Sequence, residues 1–153
     1  MRDTSGFTLM EMMVALVVAG VLSAIAVSGF GDVHGRLTVR SARAAFLSSH
    51  AHARALAVER GGLVSLVADA GSGVVSVQVG CDGLGAVLES RDFADSFAVE
   101  LEVSGDALSL CMTPKGVASP ALNSFNDEVE VAFVRGTASV AVVLFPLGQA
   151  VTP

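Results

Sequence analysis

An uninterrupted apolar run near the N-terminus constrains this chain more than any other feature. From Met12 to Gly31 the sequence contains no charged residue. An α-helix needs roughly 20 apolar residues to cross about 30 Å of hydrocarbon, so the run predicts a membrane-spanning helix. A buried core helix and a cleaved secretory signal are the alternatives, but the apolar part of such a signal covers only about 7–15 residues. We therefore expect a membrane-anchored chain.

Charge is distributed unevenly along the chain, whose formal net charge is -6. Residues 33–60 contain five arginines and a single acid, whereas the part beyond residue 60 contains three basic residues and eleven acids. This distribution predicts a basic segment followed by an acidic head. An acidic head repels phosphate backbones, so nucleic acid is not expected as a partner.

The segment from Val33 to Arg60 has the pattern of an amphipathic helix. At about 100° per residue it predicts a cationic stripe and two apolar faces. One apolar face is expected to pack on the chain's own sheet and the other to meet neighbouring helices, while the stripe is interpreted as solvated, with pairing to acids of an adjacent subunit as the alternative. The stripe contains Arg36, Arg40, Arg43, His50 and Arg54; the faces contain Val39, Ala42, Phe46, Ala53 and Leu56, and Leu37, Ala44, Ala51 and Ala55.

From Gly62 onward the apolar period changes to about two, with turn residues between the runs, which is typical of β-strands. Three hairpins are predicted, each across a glycine-containing turn. The fold class is therefore α+β, with a long N-terminal helix, transmembrane in its N-terminal half, packed on an antiparallel β-sheet head. The predicted strand pairs are 63–68 with 74–79, 97–103 with 108–112, and 129–134 with 139–145.

The residues just before the apolar run form a recognisable motif, Ser5-Gly6-Phe7-Thr8-Leu9-Met10-Glu11. It resembles the class III signal of type IV pilins and type II secretion pseudopilins, a glycine followed by Phe-Thr-Leu-x-Glu and an apolar helix. The resemblance implies a type IV pilin-like fold, cleavage between Gly6 and Phe7 by a prepilin peptidase, and N-methylation of Phe7. It also implies that Glu11 pairs with the N-terminal amine of an adjacent subunit during assembly. A carboxylate at the edge of an apolar helix is costly unless it finds a partner, and the alternative for Glu11 is a carboxylate that reaches the headgroup level.

This resemblance suggests four segments. Residues 1–6 are the leader, 7–31 the transmembrane part of the first helix, 32–60 its amphipathic part and 61–153 a β-rich periplasmic head. The implied location is the cell inner membrane, single-pass, with the N-terminus cytoplasmic. The arginines that follow the span favour the opposite orientation by the positive-inside rule, but the peptidase site must be cytoplasmic.

Weaker motifs in the rest of the chain are similar to those of the FimT/GspH subfamily, among them 112–118 and 145–150 with their Pro-x-Gly-x-Ala pattern. They imply a minor pseudopilin at or near the tip of the type II secretion pseudopilus. The alternative is a minor type IV pilin that primes a pilus. A DNA-uptake pilin is a third candidate, although the chain has no arginine after Arg135. The expected partners are homologous subunits, prepilin peptidase, the inner-membrane assembly platform and membrane lipid.

No set of residues predicts an enzyme. His34, His50 and His52 lie on the predicted helix, and His50 and His52 point to different faces, so neither catalysis nor metal binding is expected and no cofactor is predicted. Acids in predicted turns could bind calcium, but solvated turn acids are the preferred interpretation. Cys81 and Cys111 could pair in an oxidising compartment or remain free and buried. The turn acids are Asp69, Asp82, Asp92 and Asp95.

Overall fold

The computed structural model describes residues 8–105 and 107–153, and of 25–32 only the backbone. The chain divides into two compact units, 1–34 and 35–153. The first helix, α1 (Leu9–Arg60), contributes to both. All strands belong to the second unit, and the fold is the predicted α+β arrangement of a long N-terminal helix and antiparallel sheets.

The first sheet contains β1 (Val64–Asp69), β2 (Val74–Val79), β3 (Val87–Asp92) and a later strand, β5 (Ala107–Met112). The strand order is β3-β2-β1-β5, and every neighbouring pair is antiparallel. The hairpin of β1 and β2 was predicted correctly, because its apolar runs are separated by a turn that includes Gly73 at φ 69°. β3 was not predicted.

The second sheet contains β4 (Glu100–Val103), β6 (Val129–Arg135), β7 (Ala138–Leu144) and β8 (Ala150–Val151), in that order. The predicted β6–β7 hairpin is confirmed. The predicted hairpin of residues 97–103 with 108–112 is wrong, because β4 pairs with β6 while β5 pairs with β1. The link between β4 and β5 therefore connects the two sheets. The predicted strand also begins too early, because Phe97 is the last residue of a short helix, α2 (Phe93–Phe97), and β4 starts at Glu100.

The core of the second unit lies between α1 and the two sheets. Phe46 of α1 is fully buried, and its ring centroid lies 5.6 Å from that of Phe133 in β6. The ring centroid of Phe93 in α2 lies 5.5 Å from that of Phe133. Aromatic contacts of this kind join α1, α2 and the second sheet in one hydrophobic cluster.

Cys81 and Cys111 form a disulfide, with their Cα atoms 5.6 Å apart. The bond ties the loop between β2 and β3 to β5, across a separation of 30 residues. A crosslink over a loop of this length typically stabilises a fold by about 2–4 kcal/mol, mainly by restricting the unfolded chain.

Candidate assembly surfaces

The first turn of α1 holds Glu11, the residue expected to direct assembly. The Thr8 hydroxyl accepts a hydrogen bond from the Glu11 backbone N–H at 3.3 Å, so Thr8 caps the helix. Glu11 is exposed, and no hydrogen bond or ion pair joins its carboxylate to any residue that the structure describes. A negative charge in the first turn suits the helix dipole, and the carboxylate stays accessible to a cation from outside the chain. The predicted cleavage and methylation residues, Gly6 and Phe7, lie outside the described residues.

The first turns of α1 expose apolar side chains in all directions. Leu9, Leu16 and Leu22 are 80%, 73% and 62% exposed, and the valines and methionines between them are also exposed. A helix that is apolar on every side requires an apolar environment or neighbouring chains to cover it. Within the described part of the chain, no helical stretch combines the length and hydropathy needed to traverse a bilayer.

In the second unit, α1 has one buried and one exposed apolar face, as the sequence predicts. Val39, Ala42, Phe46 and Ala53 are buried. The opposite set is exposed and repeats every three or four residues, which gives a continuous seam of small side chains on the outer side of α1. We call this the α1 seam; it consists of Leu37, Ser41, Ala44, Ser48, Ala51, Ala55 and Val58.

The cationic stripe divides into two parts. Arg36 and Arg40 are exposed, as expected. The prediction is wrong for His50 and Arg54, because both turn towards the head and bind the carbonyl oxygen of Gly148. His50 Nε2 lies 3.1 Å from that oxygen, and because a carbonyl only accepts, Nε2 must donate.

In the joint that His50 forms with Arg54 and Gly148, the surroundings of the His50 ring disfavour its protonation. Burial is the main reason why the pKa of His50 lies below its ordinary value, and the neighbouring Arg54 charge lowers it further. The hydrogen bond to Gly148 opposes the shift. Since the unfolded chain binds the proton more tightly than the folded one, acid below the ordinary histidine pKa weakens this joint.

Two turns of the same construction flank the end of α1. In one, Gly116 N donates to Thr113 O at 2.9 Å, and in the other Gly148 N donates to Phe145 O at 2.8 Å. Both glycines have positive φ, 74° and 85°, which explains the repeated Pro-x-Gly pattern of the sequence. Ala118 N donates to Leu147 O at 3.0 Å, so the two turns are bound to one another.

His52 and Ser49 hold β3 against α1 through one carboxylate. His52 Nδ1 lies 2.7 Å from Glu89 Oε2, and the Ser49 hydroxyl donates to Glu89 Oε1 at 3.0 Å. The hydrogen bond from His52 is the main reason why the pKa of Glu89 lies below its ordinary value. Serine and histidine both bind the carboxylate rather than each other, so the cluster lacks the geometry of a nucleophile and its base. His50 and His52 do point to different faces, as predicted.

Three of the four acids predicted in turns have local structural roles, but Asp92 ends β3 and Asp95 lies in α2, so the turn prediction is wrong for these two. Asp69 accepts hydrogen bonds from Gly71 N and the Ser72 hydroxyl, Asp82 from Leu84 N, and Asp92 caps α2 by accepting from Asp95 N. Among the described residues, no group of three or more acids, histidines or cysteines is placed to hold a metal ion.

Comparison with known proteins adds two findings. Residues 1–27 match the prokaryotic N-terminal methylation motif. The fold matches a crystal structure of the type IV minor pilin FimU of Pseudomonas aeruginosa strain PAO1 with a TM-score of 0.58, at 18% identity over 77% of this chain and 90% of that one. The chain has a type IV pilin-like fold. A second crystal form of FimU matches this pilin-like chain with a TM-score of 0.54, at 18% identity over 74% and 91% of the two chains. No curated protein sequence matches significantly.

The candidate assembly surfaces of this chain are thus Glu11, the apolar start of α1 and the α1 seam, all of which are exposed. Their role in assembly stays a prediction from the sequence. The sequence did not reveal the joint at Gly148 or the contact of Glu89 with His52, because each connects residues that are far apart in sequence, 98 residues for His50 and Gly148. The only local sign of the joint was the Pro-x-Gly pattern around Gly148.

Proposed function

We propose that this protein is a minor subunit of a pilin-like filament, cut between Gly6 and Phe7, methylated at Phe7 and held in the inner membrane by α1 until it is incorporated. The observation that carries the proposal is the methylation motif at residues 1–27 together with an exposed Glu11 in the first turn of an apolar helix. The head lies in the periplasm in this proposal, which agrees with a disulfide between Cys81 and Cys111.

Incorporation into a filament would bury the apolar side chains and the Glu11 carboxylate that the isolated chain exposes. The apolar start of α1 would leave the bilayer for contact with neighbouring helices, and the amine of a neighbouring Phe7 would neutralise Glu11. The α1 seam supports this proposal, because small side chains allow two helices to approach closely. The partners are homologous subunits, prepilin peptidase and the assembly platform of the inner membrane.

Two filaments are candidates. The FimT/GspH-like motifs favour the pseudopilus of type II secretion, and the likeness to FimU favours a type IV pilus, in which the chain would be a minor pilin. Deletion of the gene separates them: loss of protein secretion with intact pili supports the pseudopilus, and loss of surface pili with intact secretion supports the pilus. If the deletion caused neither defect in a strain that assembles both filaments, the result would contradict the proposed function.

Glu11→Val is expected to leave membrane insertion intact and to lower incorporation into filaments at least about tenfold. The reason is that loss of a charge-assisted contact costs about 1.5–3 kcal/mol, and 1.4 kcal/mol corresponds to a tenfold change in an equilibrium. The measurement is the amount of subunit in purified filaments relative to the amount in the membrane fraction.

Glu59→Val is the matched control, because it removes an exposed acid near the other end of α1. It should be incorporated normally. Filaments containing Glu11→Val at the wild-type level would show that Glu11 has no role in assembly.

A further inference from the structure

A row of arginines on α1 has no partner among the residues that the structure describes. Arg36, Arg40 and Arg43 follow one another at intervals of four and three residues, so they share one side of the helix. Arg36 and Arg40 are exposed and Arg43 is half-buried, and none of them forms a hydrogen bond or an ion pair with a described residue. Like charges at this spacing repel each other, and an external anionic surface would relieve the repulsion. We call this set the arginine row.

The outer face of the second sheet carries the opposite charge. Glu100 and Glu102 of β4 and Glu130 of β6 are exposed, whereas Leu101, between the first two, and Val131, which follows Glu130, are buried in the core. Ser104 N donates to Glu130 O at 3.2 Å, which places Glu130 on the neighbouring strand just beyond Glu102. None of the three carboxylates has an ion-pair partner within the described ranges. We call this set the glutamate face.

The glutamate face lies at an open edge of the sheet. β4 is the first strand in the order β4-β6-β7-β8, so one side of its backbone is not paired within the sheet. Shallow grooves run along both sides of β4, one lined by Glu100 and Glu102 and the other by Glu102 and Glu130. Asp69 borders the first groove, but Gly71 and Ser72 already bind its carboxylate.

The two surfaces match in spacing as well as in sign. Successive arginines of the row are about 4.5–6 Å apart along the helix axis, at 1.5 Å per residue. Glu100 and Glu102 are about 7 Å apart along β4, at roughly 3.4 Å per residue, and Glu130, opposite Ser104, lies about 7 Å further along and about 5 Å to the side, on the next strand. A helix laid along β4 would therefore bring each arginine side chain within reach of a carboxylate.

We propose that the glutamate face of one copy of this chain docks on the arginine row of a second copy. This inference rests on the proposed function and adds a specific contact between heads and helices to it. The two surfaces are different patches of the same chain, so the contact is heterologous, and repeating it generates a ring or an open helical array rather than a two-fold symmetric dimer. Charge complementarity of this kind selects the partner and its register.

The test measures self-association of the full-length chain in uncharged detergent micelles, by energy transfer between donor- and acceptor-labelled copies. Arg36→Glu/Arg40→Glu and, separately, Glu100→Arg/Glu102→Arg should each weaken association about tenfold, because attraction becomes repulsion. An equimolar mixture of the two variants should recover it, because the reversed surfaces are complementary again. Asp95→Arg, which changes an exposed acid of α2 outside the glutamate face, is the control and should associate like the wild type.

Three results would overturn the inference. Association that is insensitive to both reversals would mean that the glutamates only protect the edge of β4. Weakened association without recovery in the mixture would mean that the two surfaces do not touch. If Arg36→Glu/Arg40→Glu changed the behaviour of the chain only when anionic lipid vesicles were added, the partner of the arginine row would be lipid headgroups. Each result is independent of the proposed function, because incorporation into filaments is measured separately with the Glu11 variants.

Discussion

Gly148→Ala is expected to destabilise the second unit by about 3 kcal/mol, combining left-handed backbone strain of about 1–2 kcal/mol with overpacking of about 1–3 kcal/mol. Gly148 is buried at φ 85°, where alanine is strained. An added Cβ would lie 3.0 Å from Ala118 Cβ and 3.1 Å from Ala118 N, in the turn against which Gly148 packs. Relieving this clash would displace the carbonyl oxygen that binds His50 and Arg54. Denaturant titration of the full-length chain in detergent measures the loss.

Gly136→Ala separates the two causes. Gly136 also has positive φ, 59°, but an added Cβ would meet no atom within 4 Å. The free energy of unfolding is therefore expected to fall only by the cost of the backbone strain, about 1–2 kcal/mol. Equal losses at the two positions would show that close packing at Gly148 does not hold the joint together.

Phe46→Ala is expected to cost about 3–5 kcal/mol, the usual range for a large aromatic side chain removed from a core. Phe46 is fully buried and contacts Phe133, which in turn contacts Phe93. The cavity would thus open where α1, α2 and the second sheet meet. Backbone amides of β6 should lose hydrogen-exchange protection by a corresponding factor.

Phe125→Ala is the control for Phe46→Ala. Phe125 is only half-buried at the border of the core, so its truncation should cost about 1 kcal/mol. Similar losses for Phe46 and Phe125 would contradict the central position assigned to Phe46.

The helical part of the fold was predictable from local pattern alone. A 3.6-residue period identified the buried and exposed faces of α1, since both faces lie within one element and need no knowledge of its neighbours. The hairpins β1–β2 and β6–β7 were predictable for a similar reason, because each pairs adjacent runs across a tight turn containing glycine.

The errors arise where non-local contacts decide the structure. Residues 97–112 look like a hairpin, but β4 and β5 lie in different sheets, where pairing with β6 and β1 replaces pairing with each other. β3 was missed because its sequence, Val-Leu-Glu-Ser-Arg-Asp, has few β-forming residues, and it is held by β2 and by the contacts of Glu89 with α1. His50 and Arg54 were assigned to solvent because the acceptor at Gly148 is visible only in the folded chain.

In the candidate site, too, local features could be predicted from the sequence and non-local contacts could not. The proposed leader and Glu11 belong to a motif of consecutive residues, which a sequence displays directly, and the match to the methylation motif agrees with it. The glutamate face was not predictable, because the register of β4 and β6 is needed to place Glu102 beside Glu130.

Mass spectrometry of the chain isolated from membranes tests the central proposal most directly. Processing predicts a mature N-terminus at Phe7 carrying a methyl group on its amine, with residues 1–6 absent. A membrane-bound chain that retains residues 1–6, or that begins at a residue other than Phe7, would contradict the account.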